Sequence, residues 1–462
     1  MVRLIVNFFT AEAIMTQHQA SPSDLVPDGH HHMTIHWHNF VKDDEVLVTE
    51  ASLAERASIV GRVGLMLLGA GTGAWRVREA MNSVARPLGL TCAADVGLIS
   101  IEYTCFEHGH HYSQTMSLPN SGVNTDKLHA MDIFVNNFAE TLTNLTVHQL
   151  HTELDKIDKK RGNYTPFQVG LASALACAAF VFLLGGGPIE MFCAFFGAGV
   201  GNLVRRLMLD RHITLFANVS VGVAAACLTY AGVFALLQLA FHVAAAHEAG
   251  YIGAMLFVIP GFPFITSGLD MAKLDMRSGL ERGMFAILTI VVATLTGWVV
   301  AMIIQLRPQN FLPLGLSFWP LLGLRLVASF CGVFGFSLMF NSPVKMATTA
   351  GLIGAAANTL RLTLVGFAVP AAAAAFLGAL LSGLLASLVN SKNGYPRISL
   401  TVPAIVIMVP GLYMYRAMFN LGLSNLDVGG TWLIQAAMIV VALPLGLACA
   451  RILTDKSWRH AD

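Results

Sequence analysis

The sequence predicts an α-helical integral membrane protein: ten transmembrane helices built as two inverted five-helix repeats, preceded by a small α+β cytoplasmic domain. Three observations predict it. Of 462 residues, 55% are hydrophobic and only 12% charged, more apolar material than a soluble chain of this size carries. The polarity is also segregated, because residues 1–164 hold 18 of the 27 acidic side chains and 12 of the 16 histidines, and the rest is mostly Ala, Leu, Gly, Val and Phe. Finally, the motif VIPG, ending at Gly261, interrupts one apolar stretch, and MVPG, ending at Gly411, interrupts another 150 residues later.

Stretches of about twenty apolar residues, the length that crosses a bilayer, fall at 168–186, 188–208, 213–240, 249–270, 283–306, 317–340, 343–363, 365–389, 398–420 and 431–453. With the polar module in the cytoplasm, the inner loops and ends carry Arg205, Arg206, Arg211, Lys273, Arg277, Arg282, Lys345, Lys392, Arg397, Arg451, Lys456 and Arg459, against Arg307 and Arg361 outside. That imbalance orients both termini inward. Four parts follow: a histidine-rich tail (1–48) read as disordered, an α+β domain (49–164), and membrane repeats at 165–308 and 309–462.

A second pair of marks supports the duplication. Asn202 and Arg205 end the second span, and Asn358 and Arg361 lie in the seventh, with the same three-residue spacing at an offset of 156 residues. Five helices per copy is an odd number, so the copies point in opposite directions. In such repeats a substrate site forms near the midplane where broken helices meet, which here means Pro260 with Gly261 and Pro410 with Gly411. A proline removes a backbone donor and the glycine after it tolerates unusual angles, so each pair frees polar backbone groups. Nearby lie Asp270 and, in PGLYMYRAM, Tyr413, Tyr415 and Arg416. A cation at membrane depth is costly, so Arg416 and Arg325 are expected to face protein or a watered cavity. Glu190 and Glu248, the latter beside His247, read as interfacial residues, with proton coupling as their alternative role.

In the polar module the pattern predicts a helix over 51–68, a break at GAGTGAW, a second helix through Ala85, a hairpin of strands 98–106 and 112–118, and a helix from near Asn124. Gly69, Gly71 and Gly73 follow a helix rather than a strand and precede no Lys-Ser or Lys-Thr pair, so they do not make a phosphate loop. The clusters His30, His31, His32, His36, His38 and His108, His110, His111 lack paired ligand spacing, and no metal or cofactor is expected. A hydrolase built on Ser117, His108 and Asp95 is the rival from another class. The seven cysteines have no paired spacing, which suits a reducing compartment. A net charge of +1 argues against nucleic acid as a partner, and the apolar patch at residues 4–9 is too short for a signal peptide.

The order GAGTGAWRVREAMNSVARPLGL, hairpin, SGVN, LLGGGPIEMFCAFFGAGVGNLVRRL, VIPGFPFITSGLDM, SGLERG, AANTLR and MVPGLYMYRAM resembles the threonine/serine exporter family over residues 50–455. The resemblance implies a cytoplasmic N-terminal domain joined to ten membrane helices in the bacterial inner membrane. It also implies secondary export of threonine and serine, driven by the proton motive force. Split members are associated with dicarboxylates such as succinate, so the exact substrate stays open, as does homo-oligomerisation. On this reading the partners are a small-molecule substrate, protons and the lipid bilayer. Alternating access would place a threonine carboxylate at a broken-helix N-terminus with Arg416 and its ammonium against freed carbonyls or Asp270, with Asp270 also carrying the coupling proton.

Overall fold

The computed structural model describes residues 35–308 and 310–459, apart from the side chains of residues 245, 246 and 391–393. Residues from Trp37 onward form one compact unit. His30, His31 and His32 lie outside the described residues.

The N-terminal domain is built around one buried helix, α1 (Leu53–Gly69), which packs on α2 (Ala74–Ala85) and on an antiparallel meander of β1 (Thr91–Val96), β2 (Ser100–Glu107) and β3 (His110–Ser117). α1 starts where Ser52 and Glu55 cap each other: the Ser52 amide donates to Glu55 Oε2 at 3.0 Å, and the amide of Lys42 reaches Glu55 Oε1 at 2.8 Å. Such a capping box satisfies the orphan donors of a first helical turn. The predicted hairpin is present, turning through His108 and Gly109, both at positive φ. The third strand is a correction to the two expected. β1 reads TCAADV, whose small side chains offer little of the β-branched, alternating signal that marks a strand. α3 (Thr125–Asn137) is capped by Asn124, as expected, and α4 (Val147–Asp158) by a Thr146–Gln149 box.

The tail boundary also moves. Residues 37–48, assigned from sequence to a disordered segment, fold onto the domain: Trp37–Phe40 forms a short helix, the Trp37 ring stacks on His151, and Leu47 bridges Thr146. Beneath it, fully buried His151 places Nε2 3.1 Å from Ser58 Oγ and Nδ1 3.2 Å from Arg62 Nη1, and Arg62 also pairs with Asp155. Burial, with repulsion from Arg62 and His38, pushes the His151 pKa down to about 3. The unfolded chain takes up this proton near the ordinary value of about 6.5, so acidification favours unfolding between the two. The stability present above pH 6.5 is lost as pH falls toward 3, at a slope of at most about 1.4 kcal/mol per pH unit. The thermal midpoint of the detergent-solubilised protein should therefore fall between pH 6.5 and 4, and His151→Gln should flatten that limb. An unchanged limb in the variant would refute the assignment.

The helical part runs α5 (Pro166–Leu183), α6 (Pro188–Leu209), α7 (Leu215–Phe241), α8 (Tyr251–Ala254), α9 (Gly261–Ala272), α10 (Met276–Ile303), α11 (Phe318–Met339), α12 (Val344–Gly366), α13 (Ala371–Asn393), α14 (Arg397–Val406), α15 (Gly411–Gly422) and α16 (Leu426–Thr454). Among the described residues seven helices are long and apolar enough to cross a membrane. The total reaches nine when each bent pair is one span: His247–Val258 with α9, bent by 55°, and α14 with α15, bent by 48°. The expected ten is therefore reached only by adding α12, which covers the predicted span 343–363 at 23 residues but is not in that apolar set. Lys345, Thr348, Thr349, Asn358 and Arg361 give it its polarity.

Candidate functional site: two facing helix breaks and a cationic cavity

Both proline notches have one geometry. Pro260 (φ −80°, ψ 60°) and Pro410 (φ −81°, ψ 54°) are each the centre of an inverse γ-turn, in which the following glycine amide donates two residues back, Gly261 to Ile259 O at 2.8 Å and Gly411 to Val409 O at 2.9 Å. The notches face each other rather than the outside. A Cβ on Gly261 would run into Val406 and Val409, and one on Gly411 would run into Ile259 and Leu256, so each glycine is the contact point for the opposite broken helix. Beside them, the buried Tyr251 and Tyr415 hydroxyls lie 2.7 Å apart and tie one broken span to the other.

The match between halves extends well beyond the notches. At an offset of 150, Leu274 and Ser424 both have positive φ, and the Asp275 and Asn425 amides both donate five residues back, to Asp270 O and Asn420 O. At an offset of 156, Gly222 packs on Arg205 Cβ and Gly201 O just as Gly378 packs on Arg361 Cβ and Ala357 O. Asn202 and Asn358, the repeat marks, are both buried; Asn358 Nδ2 donates to Ser329 Oγ at 2.8 Å, and Asn218 Nδ2 donates to Arg205 O at 3.0 Å. Arg361 reaches the Met408 carbonyl, inside the second notch, at 3.4 Å.

Matched turns occupy opposite ends of the bundle. The loop after α11 binds the N-terminal domain, with Asn341 Nδ2 donating to Asn124 Oδ1 at 3.0 Å and the Tyr164 hydroxyl to Ser342 O at 2.7 Å. Its counterpart after α5, at Leu184 and Gly185, lines a cavity of about 400 Å³ at the far end. Residues 310–316, Phe182, Leu183, Leu321, Arg325, Leu412 and Arg416 complete the walls, which among the described residues include no Asp or Glu. Arg416 lies five residues past Gly411, donates to Asn310 Oδ1 at 3.0 Å, and stacks over the Trp432 ring, against which Tyr413 also packs. Arg325 Nη1 points at Leu362 O at 3.4 Å. The cavity therefore brings together two of the predicted cations, backed by aromatic rings and beside a break.

Asp270 stands elsewhere, which separates two residues expected to share one substrate. It is 0% exposed at the domain end, accepting from the Ala74 amide (2.9 Å) and Ser278 Oγ (3.0 Å) and pairing with Arg282 Nε (3.2 Å). Arg282 also donates to Thr72 O at 2.8 Å. A Cβ on Gly73 would meet Asp270 Oδ1 at 2.5 Å, so the glycine-rich loop that superficially resembles a phosphate loop is small because it seats on this carboxylate. The clamp continues through Arg78 with Asp275, Arg277 with Asp95, the Leu98 amide on Glu281 Oε2 at 2.6 Å, and Arg451 between Trp75 and Trp458. Sequence counts Arg282 only among the inner-end cations and misses it as the partner of Asp270; the signal available was its place in SGLERG, one turn beyond Ser278 on the helix that follows Asp270.

The rival hydrolase constellation is not assembled. His108 sits in the hairpin turn and Ser117 at the other end of β3, a strand of eight residues that spans about 27 Å, while Asp95 pairs with Arg277. His110 lies opposite Glu107, whose carboxyl the bond from Arg56 holds below the usual range.

Two facing broken spans, a cationic cavity beside one of them and a domain clamped over the opposite end define a helical membrane transporter. The chain belongs to the family described as "Putative threonine/serine exporter", whose model matches residues 58–305, and a second model, "Threonine/Serine exporter, ThrE", matches residues 325–453. Among curated relatives it is 24% identical over 409 residues to a "Probable threonine/serine exporter" of Mycobacterium tuberculosis, covering 85% of this chain and 75% of that one. It is 27% identical over 247 residues to the "Probable succinate transporter subunit YjjP" of Escherichia coli, covering 52% of this chain and 91% of that subunit. No solved structure matches it.

Proposed function

We propose that this protein exports small carboxylate-bearing metabolites, threonine and serine first, across the bacterial cytoplasmic membrane. It works by alternating access and is driven by the proton motive force. The observation that carries the reading is the convergence of Arg325 and Arg416 on one cavity beside the second notch, in a chain of this family. α12 serves as the tenth span, and the two five-helix copies are inverted. That inversion is supported by matched turns such as 184–185 and 340–341 lying at opposite ends. Both termini are cytoplasmic, so the cavity opens outward and the Asp270–Arg282 clamp closes the inner mouth with the N-terminal domain. Rocking about the paired notches would release that clamp as the cavity closes.

A dicarboxylate reading has its own support. A cavity with two guanidinium groups and, among the described residues, no acid suits two carboxylates better than a carboxylate with an ammonium. The deciding test is counterflow in proteoliposomes loaded with unlabelled serine, threonine or succinate, following entry of each labelled compound. Saturable exchange of threonine and serine is expected, exchange of succinate alone would transfer the assignment to dicarboxylates, and absence of exchange with all three would remove the reading.

A further inference from the structure

We propose that Glu190 and His247 form the proton-binding site that couples transport to the gradient, a step that rests on the exporter reading and names where its driving ion binds. Glu190 is the third residue of α6 and only 1% exposed, yet its Oε1 lies 2.7 Å from His247 Nδ1, while Oε2 accepts the Gly187 amide at 2.9 Å. The His247 side chain is 17% exposed. One member of the pair is thus dry and the other reaches solvent, the arrangement a proton needs in order to enter a buried carboxylate. Both sit at the far end of the bundle: Glu190 is five residues past Gly185, which lines the cationic cavity, and His247 is the first residue of the first broken span.

The pair is also attached to the moving parts. His247 belongs to the short helix Ala245–Gly250, which runs directly into Tyr251, the residue bonded to Tyr415 across the notches. Tyr230 of α7 donates to the His247 carbonyl at 2.6 Å, and Gly250 is wedged between the Tyr230 ring and Glu190. The titratable groups facing the pair are Tyr230 on α7, Cys193 one turn along α6, and Glu248 next to His247. A buried carboxylate is tolerated when it is paired with a cation or neutralised by a proton. With one proton shared, the pair is neutral and the bond holds α6 to the broken span. A second proton, entering from outside through His247, leaves a neutral Glu190 beside a cationic imidazole, removes the charge attraction and frees the half-helix. On the return the same proton leaves to the cytoplasm, so only O–H and N–H bonds are made and broken and one proton moves inward per cycle.

Glu190→Gln keeps the oxygen that caps Gly187 while deleting the titration. Wild type, Glu190→Gln and His247→Gln in proteoliposomes are compared for labelled threonine counterflow at equal pH and for accumulation driven by an imposed pH gradient, with succinate replacing threonine where counterflow selects it. We expect counterflow to persist in both variants while gradient-driven accumulation drops to the level left by a protonophore. Gradient-driven accumulation by Glu190→Gln at the wild-type level overturns the proposal, and so does loss of counterflow in both variants when they retain the wild-type unfolding temperature, since the pair would then be structural. Failure of wild-type counterflow instead overturns the exporter reading itself.

Discussion

Arg282→Ala should cost about 3–5 kcal/mol of stability, the usual penalty for stripping one partner from a buried ion pair. Arg282 is 3% exposed and Asp270 0%, so no water replaces the lost guanidinium, and the carboxylate keeps only the Ala74 amide and Ser278 hydroxyl. The Thr72 carbonyl loses its donor in the same step. Because this clamp holds the N-terminal domain to the end of α9, the loss should appear both as a lower unfolding temperature in detergent and as faster proteolysis at residues 159–165, the segment joining the domain to α5. Adding Asp270→Asn to the same chain should recover much of the loss, since the cost lies in the orphaned charge rather than in missing contacts. A single variant as stable as wild type, or a double variant no better than Arg282→Ala, would show that the junction is held by its other bonds.

Removing the cavity cations should act on transport instead of stability. A hydrogen bond from a guanidinium to a carboxylate is worth about 1.5–3 kcal/mol, so Arg416→Gln or Arg325→Gln should raise the KM of an anionic substrate about 10- to 100-fold. Membrane insertion should be unchanged, because both side chains line the cavity and neither is fully buried. The pattern separates the two substrate readings. A monocarboxylate held by one arginine is hurt mainly by one of the variants, whereas a dicarboxylate bridging the cavity is hurt by both. Unchanged KM in both proteins would remove the cavity from the transport path.

The notches were legible because proline and glycine act on their own backbone: Pro260 and Pro410 cannot donate, and the chain breaks there whatever surrounds it. The spacing of Asn202 to Arg205 and of Asn358 to Arg361 was legible for a related reason, since it is a pattern of residue types within each segment. By contrast, nothing in the local sequence says that Gly73 is small because Asp270, 197 residues away, sits against it. Nor does it say that Trp75 and Trp458 share Arg451. β1 was missed because Ala and Cys carry a weak strand signal; it exists because β2 offers it a ladder. Asp270 and Arg416 both follow a proline notch at a short interval, and only the opposed courses of α9 and α15 send them to different ends.

Sequence alone determined the membrane character of the chain, the polar domain ahead of it, the two breaks and the cations beside the second, because hydropathy, backbone chemistry and charge are properties of residues one at a time. Tertiary structure decided that the breaks pack against each other, that Arg325 and Arg416 open onto one cavity while Asp270 holds a domain, and that Glu190 meets His247. Each of those depends on which side chains a folded bundle brings within about 3 Å, the range over which a hydrogen bond forms.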